Sequence, residues 1–210
     1  MCSALDLTPD SQQEQTLLQY LDLLQRWNAT YNLTAVRDRD AMLTQHLADC
    51  LAVVKPLQRG LAAGRLLDVG SGGGLPGVVL AIMQPHLQVT CVDTVGKKAA
   101  FIRQVSGQLK LRNLQAVHAR VEQMAGLAFD VITSRAFASL LDFVTLTRPL
   151  LAPGGAWLAM KGKTPTVEMA ALPASVNVFH VEPLSVPGLE AERCLVWMRP
   201  SLPIQTFKAP

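Results

Sequence analysis

The residues most suggestive of chemistry are Asp68-Val-Gly70-Ser-Gly72-Gly-Gly74-Leu-Pro-Gly77 and the acid that follows, Asp93. Glycines in such a run let the backbone turn sharply and let a ligand come within contact distance, at the amino end of the next helix. Two registers compete for the ligand. Gly72-x-Gly74-x-x-Gly77 satisfies the dinucleotide fingerprint, with Asp93 about 20 residues on, as a nicotinamide site requires. Asp68-x-Gly70-x-Gly72-x-Gly74 instead places an acid before the first glycine, where it can hold the ammonium end of an amino-acid-bearing cofactor. That register points to S-adenosyl-L-methionine. Asp93 serves either ligand, because a carboxylate at the end of a strand can accept hydrogen bonds from both ribose hydroxyls. A turn used only for strand-helix packing is the weaker reading, since four glycines within five residues carry a large conformational cost for packing alone.

Other motifs fail on their spacing. Gly162-Lys163-Thr164 resembles the end of a phosphate-binding loop, but Trp157 stands where that motif needs glycine. Ser71 is not a hydrolase nucleophile, because Val69 occupies the glycine position of a nucleophile elbow. Cys2, Cys50, Cys91 and Cys194 form no C-x-x-C pair, and His46, His86, His118 and His180 are equally dispersed. Neither a disulfide framework nor a metal cluster is expected.

The elements that must hold the glycine loop can be read from periodicity. From Arg65 onward, short apolar runs alternate with helical patterns: 66–69, 87–93, 114–118, 129–133 and 156–160, with helices predicted over 76–83, 97–109, 140–150 and 167–172. Such alternation signals an α/β fold with a parallel sheet. The last two runs, 176–181 and 194–198, are separated by a Pro- and Gly-containing loop without helical period and should pair antiparallel. The first 55 residues read as helical. Thr8-Pro9 looks like a cap with proline at the first helical position, and Leu17, Leu21, Leu24 and Trp27 recur at helical spacing. A second helix is expected from Asp38, with Leu43, Leu47, Leu51 and Val54 on one face and Pro56 at its end. The polar, aromatic connection Trp27-Asn-Ala-Thr-Tyr-Asn-Leu-Thr34 lies between them. One domain over 1–210 is expected, with 1–60 as a helical extension and 61–210 as the core.

In an open α/β sheet the ligand lies beyond the carboxyl ends of the strands. Arg120 follows the third run, Arg135 the fourth, and Lys161 and Lys163 the fifth, while Arg193 begins the antiparallel last strand and so shares their edge. Convergence of these cations on one pocket suits an enzyme that grips a polyanion. Lys97, Lys98 and Arg103 fall on a helix beside the second run, and are expected to be a solvated face.

Composition sets the outer limits. The 210 residues are 50% apolar and 17% charged, with mean hydropathy +0.24, enough to build a core and too hydrophobic for disorder. The apolar run 75–83 is under half of the roughly 20 residues a membrane helix needs. With no basic, apolar leader at the N-terminus, a cytoplasmic location is expected, which makes the sequons at Asn28 and Asn32 chance matches. A net charge of +3 demands no nucleic acid by itself.

Four segments in order, Trp27 to Thr34, Asp68 to Gly77, Ser134-Arg-Ala-Phe-Ala-Ser139 and Met160-Lys-Gly162, resemble the RsmG family (glucose-inhibited division protein B, GidB) of bacterial small-subunit ribosomal RNA methyltransferases, over essentially the whole chain. The resemblance implies a class I, Rossmann-like methyltransferase fold with a mostly parallel seven-stranded sheet and an antiparallel last strand. It implies methyl transfer from S-adenosyl-L-methionine to N7 of guanine 527 in 16S rRNA. Its cofactor positions map onto Gly70 and Leu75 in the loop, Val121 and Glu122 beside the adenine, and Arg135. Together with Asp68, Gly72 and Asp93 these are the expected cofactor residues. Arg135 is the expected central cation, and Arg120, Lys161, Lys163 and Arg193 the expected RNA contacts. The partner implied is 16S rRNA, in the 30S subunit or an assembly precursor, with neither DNA nor membrane involved and a monomer as the default. Two other readings remain: a nicotinamide-dependent oxidoreductase, and a non-catalytic, cofactor-sensing module for RNA binding or ribosome assembly.

Overall fold

A computed structural model describes residues 1–135, 137 and 139–201; Ala136 and Ala138 of the Ser134 to Ser139 run, and 202–210, lie outside the described residues. The strands are β1 (Gly64–Val69), β2 (Leu87–Asp93), β3 (Leu114–His118), β4 (Phe129–Ser134), β5 (Leu151–Lys161), β6 (Val176–Leu184) and β7 (Arg193–Pro200). They form one sheet in the order β3-β2-β1-β4-β5-β7-β6. β1 to β5 pair in parallel, and β7 runs antiparallel to both β5 and β6. The direction of winding reverses between β1 and β4, and the crevice at their carboxyl ends is where a ligand is expected in such sheets.

Alternation along the strands separates two cores. Leu66, Val89, Val131 and Leu158 point toward the helices α1 (Ser11–Tyr31), α5 (Gly77–Met83) and α6 (Gly96–Gln108). Leu67, Val92, Ile132 and Trp157 point toward α7 (Leu140–Thr147). A short helix, α8 (Thr166–Ala170), follows β5.

The N-terminal helices depart from expectation in three ways. Asp10, rather than Thr8-Pro9, caps α1: its carboxylate accepts from Gln13 N at 2.7 Å while the Gln13 side chain accepts from Asp10 N at 3.0 Å, a reciprocal box that satisfies two helix-end donors. The helix expected from Asp38 does start there, with the Asp38 carboxylate accepting from Ala41 N at 2.8 Å, but it passes from α2 (Arg39–Met42) through a π-helical segment Leu43–Ala48 into α3 (Asp49–Leu51), and a turn at 52–53 separates it from α4 (Val54–Gly60). Pro56 therefore does not end a helix. It sits in the first turn of α4, where a backbone N–H would have no helical partner. The π segment widens the turn and so rotates the residues that follow, and 46–50 are buried in succession.

The polar connection between these helices is ordered by its own side chains. The Asn28 amide donates to the Val36 carbonyl at 2.8 Å and its oxygen accepts from Thr34 N at 2.8 Å. Trp27 packs on Phe101 of α6, with ring centroids 5.4 Å apart. Among the described residues no helix is long and apolar enough to cross a membrane.

Candidate active site

The glycine loop leaves β1 and is tied down from below. Gly70 N and Ser71 N both donate to the Val92 carbonyl, at 2.9 and 3.2 Å, and the Ser71 hydroxyl donates to the Asp68 carbonyl at 2.8 Å. Gly70 adopts φ +69°, a left-handed conformation that favours glycine, and a Cβ there would meet no heavy atom within 4 Å. This glycine keeps the mouth of the loop open. Gly77 has a different duty: a Cβ there would lie 2.4 Å from Cys91 Sγ, so α5 can approach β1 and β2 only without a side chain at that position.

Asp93 ends β2 and arranges the loop from the other side. Its Oδ2 accepts from Gly72 N at 2.9 Å and its Oδ1 from Val95 N at 2.8 Å. It lines a cavity of about 360 Å³ together with Gly70, Val95, Arg120, Val121 and Glu122. A carboxylate with oxygen lone pairs still to fill, beside apolar walls supplied by Val95, Val121 and Leu146, matches a nucleoside: ribose hydroxyls on the acid and a planar base on the aliphatic side chains. Lys98 lines the same cavity, with its Nζ 4.0 Å from Asp93 Oδ2. The solvated-face expectation for Lys98 is therefore corrected, because the first turn of α6 turns that residue inward.

Asp68 is fully buried beneath the loop and does not line this cavity. Its Oδ2 accepts from Gly77 N at 2.9 Å, and its Oδ1 has no hydrogen-bond partner among the described residues. Burial pushes its pKa up to about 7, against the opposing effects of the Gly77 hydrogen bond and the Arg135 charge. Leu75 is buried in the core beside α5, and Gly72 contributes the N–H held by Asp93. These two shape the loop.

A second pocket, of about 390 Å³, opens at the carboxyl ends of β4 and β5 and contains Arg135, Lys161 and Arg193. Three of the predicted cations thus meet. Arg120 shares their edge of the sheet but faces the Asp93 cavity, and Lys163 is exposed and lines neither pocket. The sequence reading missed the acids that hold these cations. Asp49, buried on α3, accepts from Arg193 Nε at 2.9 Å and from Arg135 Nη1 at 3.3 Å. Glu168 of α8 accepts from Lys161 Nζ at 2.8 Å and also from Leu140 N, at the start of α7. His46 lies against Arg135, its Nδ1 3.5 Å from Nη1, and its Nε2 is 2.6 Å from the Thr34 hydroxyl. Burial, reinforced by the Arg135 charge, lowers the His46 pKa, which keeps the imidazole neutral at pH 7.

The two pockets share no lining residue, and the end of β4 connects their walls. Ser134 Oγ donates to the Val69 carbonyl at 2.9 Å, bringing the end of β4, and with it Arg135, against the strand that feeds the glycine loop. The α1 helix reaches the same loop from above: the buried Tyr20 hydroxyl donates to the Gly73 carbonyl at 2.7 Å. A larger cavity, about 730 Å³, lies at the opposite, amino-terminal edge of the sheet beside Arg59, Asp130 and Trp197. Size does not mark the chemistry here. The glycine loop and the paired acids and cations gather at the carboxyl edge.

Comparison with known proteins agrees with this geometry. The GidB family profile, described as rRNA small subunit methyltransferase G, matches residues 13–196. The chain is 66% identical over 190 residues to a Ribosomal RNA small subunit methyltransferase G of Leptothrix cholodnii, covering 90% of this chain and 87% of that relative. Among solved structures it is similar to TrmN from Thermus thermophilus, with TM-score 0.58 and 20% identity over 76% of this chain, although it spans only about half (53%) of that one. A SAM dependent methyltransferase from Aquifex aeolicus gives TM-score 0.57 and 16% identity, covering 75% of this chain and 92% of that one. At such identities the structural matches speak for the fold, a class I methyltransferase sheet.

Proposed function

Because the chain belongs to the GidB family of rRNA small subunit methyltransferases, we propose that it transfers a methyl group from S-adenosyl-L-methionine to N7 of guanine 527 in 16S rRNA. The observation that carries this reading is a pair of unlike pockets at the carboxyl edge of the sheet, with walls connected by the end of β4. One is a nucleoside-sized cavity on Asp93, and the other is a cationic pocket on Arg135 and Arg193.

The cofactor, when bound, supplies an electrophilic methyl group on a sulfonium. Guanine N7 carries a lone pair and no proton, so its attack needs no general base. A neutral, hydrogen-bonded His46 and buried cysteines, whose thiols burial holds in the protonated form, are compatible with such chemistry. What the chain's own residues supply is alignment and charge. Asp93 and the Gly70 backbone hold the nucleoside end, with Val121 and Glu122 at the base. Arg135 stands at the junction and serves the cofactor carboxylate or the RNA beside it. Lys161 and Arg193 donate to RNA phosphates or to guanine O6, the acceptor next to N7. An unpaired target base is expected, because N7 in an A-form duplex lies in a deep, narrow groove. The substrate is the 30S subunit or an assembly precursor, and the enzyme works as a cytoplasmic monomer.

The test is methyl transfer from radiolabelled S-adenosylmethionine to 16S rRNA, naked and in 30S subunits, with the modified base mapped. Label at N7 of guanine 527 is expected, and the Arg135→Ala variant should fold and bring transfer to near background. Cofactor binding without transfer, label on another base, or wild-type turnover in the variant would each overturn the reading.

A further inference from the structure

We propose that Asp49 is a positioning residue of the methyl-transfer site: its carboxylate clamps Arg135 and Arg193 together, so that the junction arginine and the substrate-pocket arginine present their remaining donors to one anionic or acceptor-rich group. The proposal rests on the function proposed above and extends it to a residue that no motif in the sequence singled out.

The geometry is that of a shared counter-ion. Asp49 Oδ1 lies 2.9 Å from Arg193 Nε and Oδ2 lies 3.3 Å from Arg135 Nη1, with the Asp49 side chain only 3% exposed and the Arg193 and Arg135 side chains 27% and 26% exposed. The partners are 144 and 86 residues away in sequence, on β7 and just beyond β4, so the clamp exists only when three elements are assembled. Each member needs the others. A carboxylate this buried is costly without a cation, and two neighbouring guanidiniums without a shared anion repel one another.

The donors already used define those left over. Arg135 Nη1 also donates to the Gln45 carbonyl at 3.3 Å and faces His46 Nδ1, and Arg193 Nη1 donates to the Glu192 carbonyl at 2.8 Å. Among the described residues no hydrogen bond uses Nη2 of either arginine. A guanidinium has five N–H donors in a rigid fork, so fixing Nη1 or Nε fixes where Nη2 points. The clamp neutralises one of two positive charges and leaves the pair with a net charge of +1, suited to a phosphate or to the O6 edge of a purine. The π-helical turn of Leu43–Ala48 supports this role, because it brings the Gln45 carbonyl, His46 and Asp49 to the same guanidinium.

The experiment is a double-mutant cycle on the full-length protein: wild type, Asp49→Asn, Arg193→Gln and the double variant. It reads kcat/KM for 30S subunits at saturating S-adenosylmethionine, with active sites counted by cofactor-binding stoichiometry. Each single change should lower kcat/KM by at least about 30-fold, with the double variant within about threefold of the worse single one, as expected for residues acting as one unit. Asp49→Glu, which keeps the charge, should recover part of the loss, whereas a packing role would make the longer side chain worse than Asn. Multiplying losses, wild-type kcat/KM in Asp49→Asn, or Glu worse than Asn would overturn the proposal. Nitrogen-15 NMR of the wild-type arginine side chains gives an answer independent of activity and of variant folding. The Arg193 Nε–H should be shielded from solvent exchange, and exchange at the rate of surface arginines refutes the clamp. Absence of rRNA methylation by the wild type would sink the function proposed above, while the NMR result still decides the clamp.

Discussion

Replacing Asp68 with Asn should change how stability depends on pH. The buried Asp68 carboxyl has a pKa of about 7 against an ordinary 3.8, chiefly because burial disfavours its charged form. Between about pH 4 and pH 7 the folded protein therefore holds a proton that the unfolded chain has released. A state that binds the extra proton loses stability as pH rises, so the Asp68 contribution is full below about pH 4, falls through this window and is flat above it. From 3.8 to about 7, at about 1.4 kcal/mol per pH unit, the change is on the order of 4 kcal/mol. Asn has the shape of the protonated acid, can still accept from Gly77 N, and does not titrate. Its stability relative to wild type should rise by that order between pH 4.5 and pH 8. Urea unfolding of both cofactor-free proteins at several pH values reads the difference directly and cancels every carboxylate they share. A gap between the two curves that stays constant within about 1 kcal/mol would show that Asp68 ionises normally and that the buried, half-partnered carboxylate is misread.

Tyr20→Phe removes the donor to the Gly73 carbonyl; an unsatisfied buried acceptor costs about 1–3 kcal/mol, and the cofactor dissociation constant, measured by calorimetry, should rise because α1 no longer pins the loop. Gly77→Ala forces a Cβ to within 2.4 Å of Cys91 Sγ and 2.8 Å of Asp68 Oδ2, so a stability loss of about 1–3 kcal/mol is expected from overpacking, visible as a lower urea midpoint. Asp93→Ala deletes the acceptor for Gly72 N and Val95 N as well as the expected ribose ligand. Cofactor affinity by calorimetry should fall at least about tenfold, the order of one lost charge-assisted hydrogen bond, and unchanged affinity would remove Asp93 from the site.

Local rules carried the sheet a long way. The runs at 87–93 and 114–118 are β2 and β3 residue for residue, because both are bounded by turn residues and have one consistent pattern. The antiparallel pairing of the last two strands also followed from the loop between them. The N-terminal segment resisted for a physical reason. A π-helical turn is a compromise between local hydrogen bonding and tertiary packing, and nothing in 43–48 distinguishes it from an ordinary helix until the sheet edge beneath is present. Pro56 misled for a related reason, since proline both stops helices and opens them, and only the break at Ala52–Val53 shows which role applies.

The same distinction divides the site. Gly70, Asp93 and the cations after β4 and β5 were legible because strand ends in this topology converge by construction. Asp49, His46 and Glu168 were not, because each acts on a residue that is a neighbour only through the assembled fold. The cations expected to converge on one pocket are therefore not bare charges. Arg135, Arg193 and Lys161 are each met by a carboxylate, so long-range attraction of a polyanion is weaker than the bare charges imply. In return, the cations are held at defined positions rather than solvated on long, mobile side chains. For the transfer to N7 proposed above, whose nucleophile would need no proton removed, a defined position matters more than field strength, because only geometry would bring N7, the methyl carbon and sulfur into line.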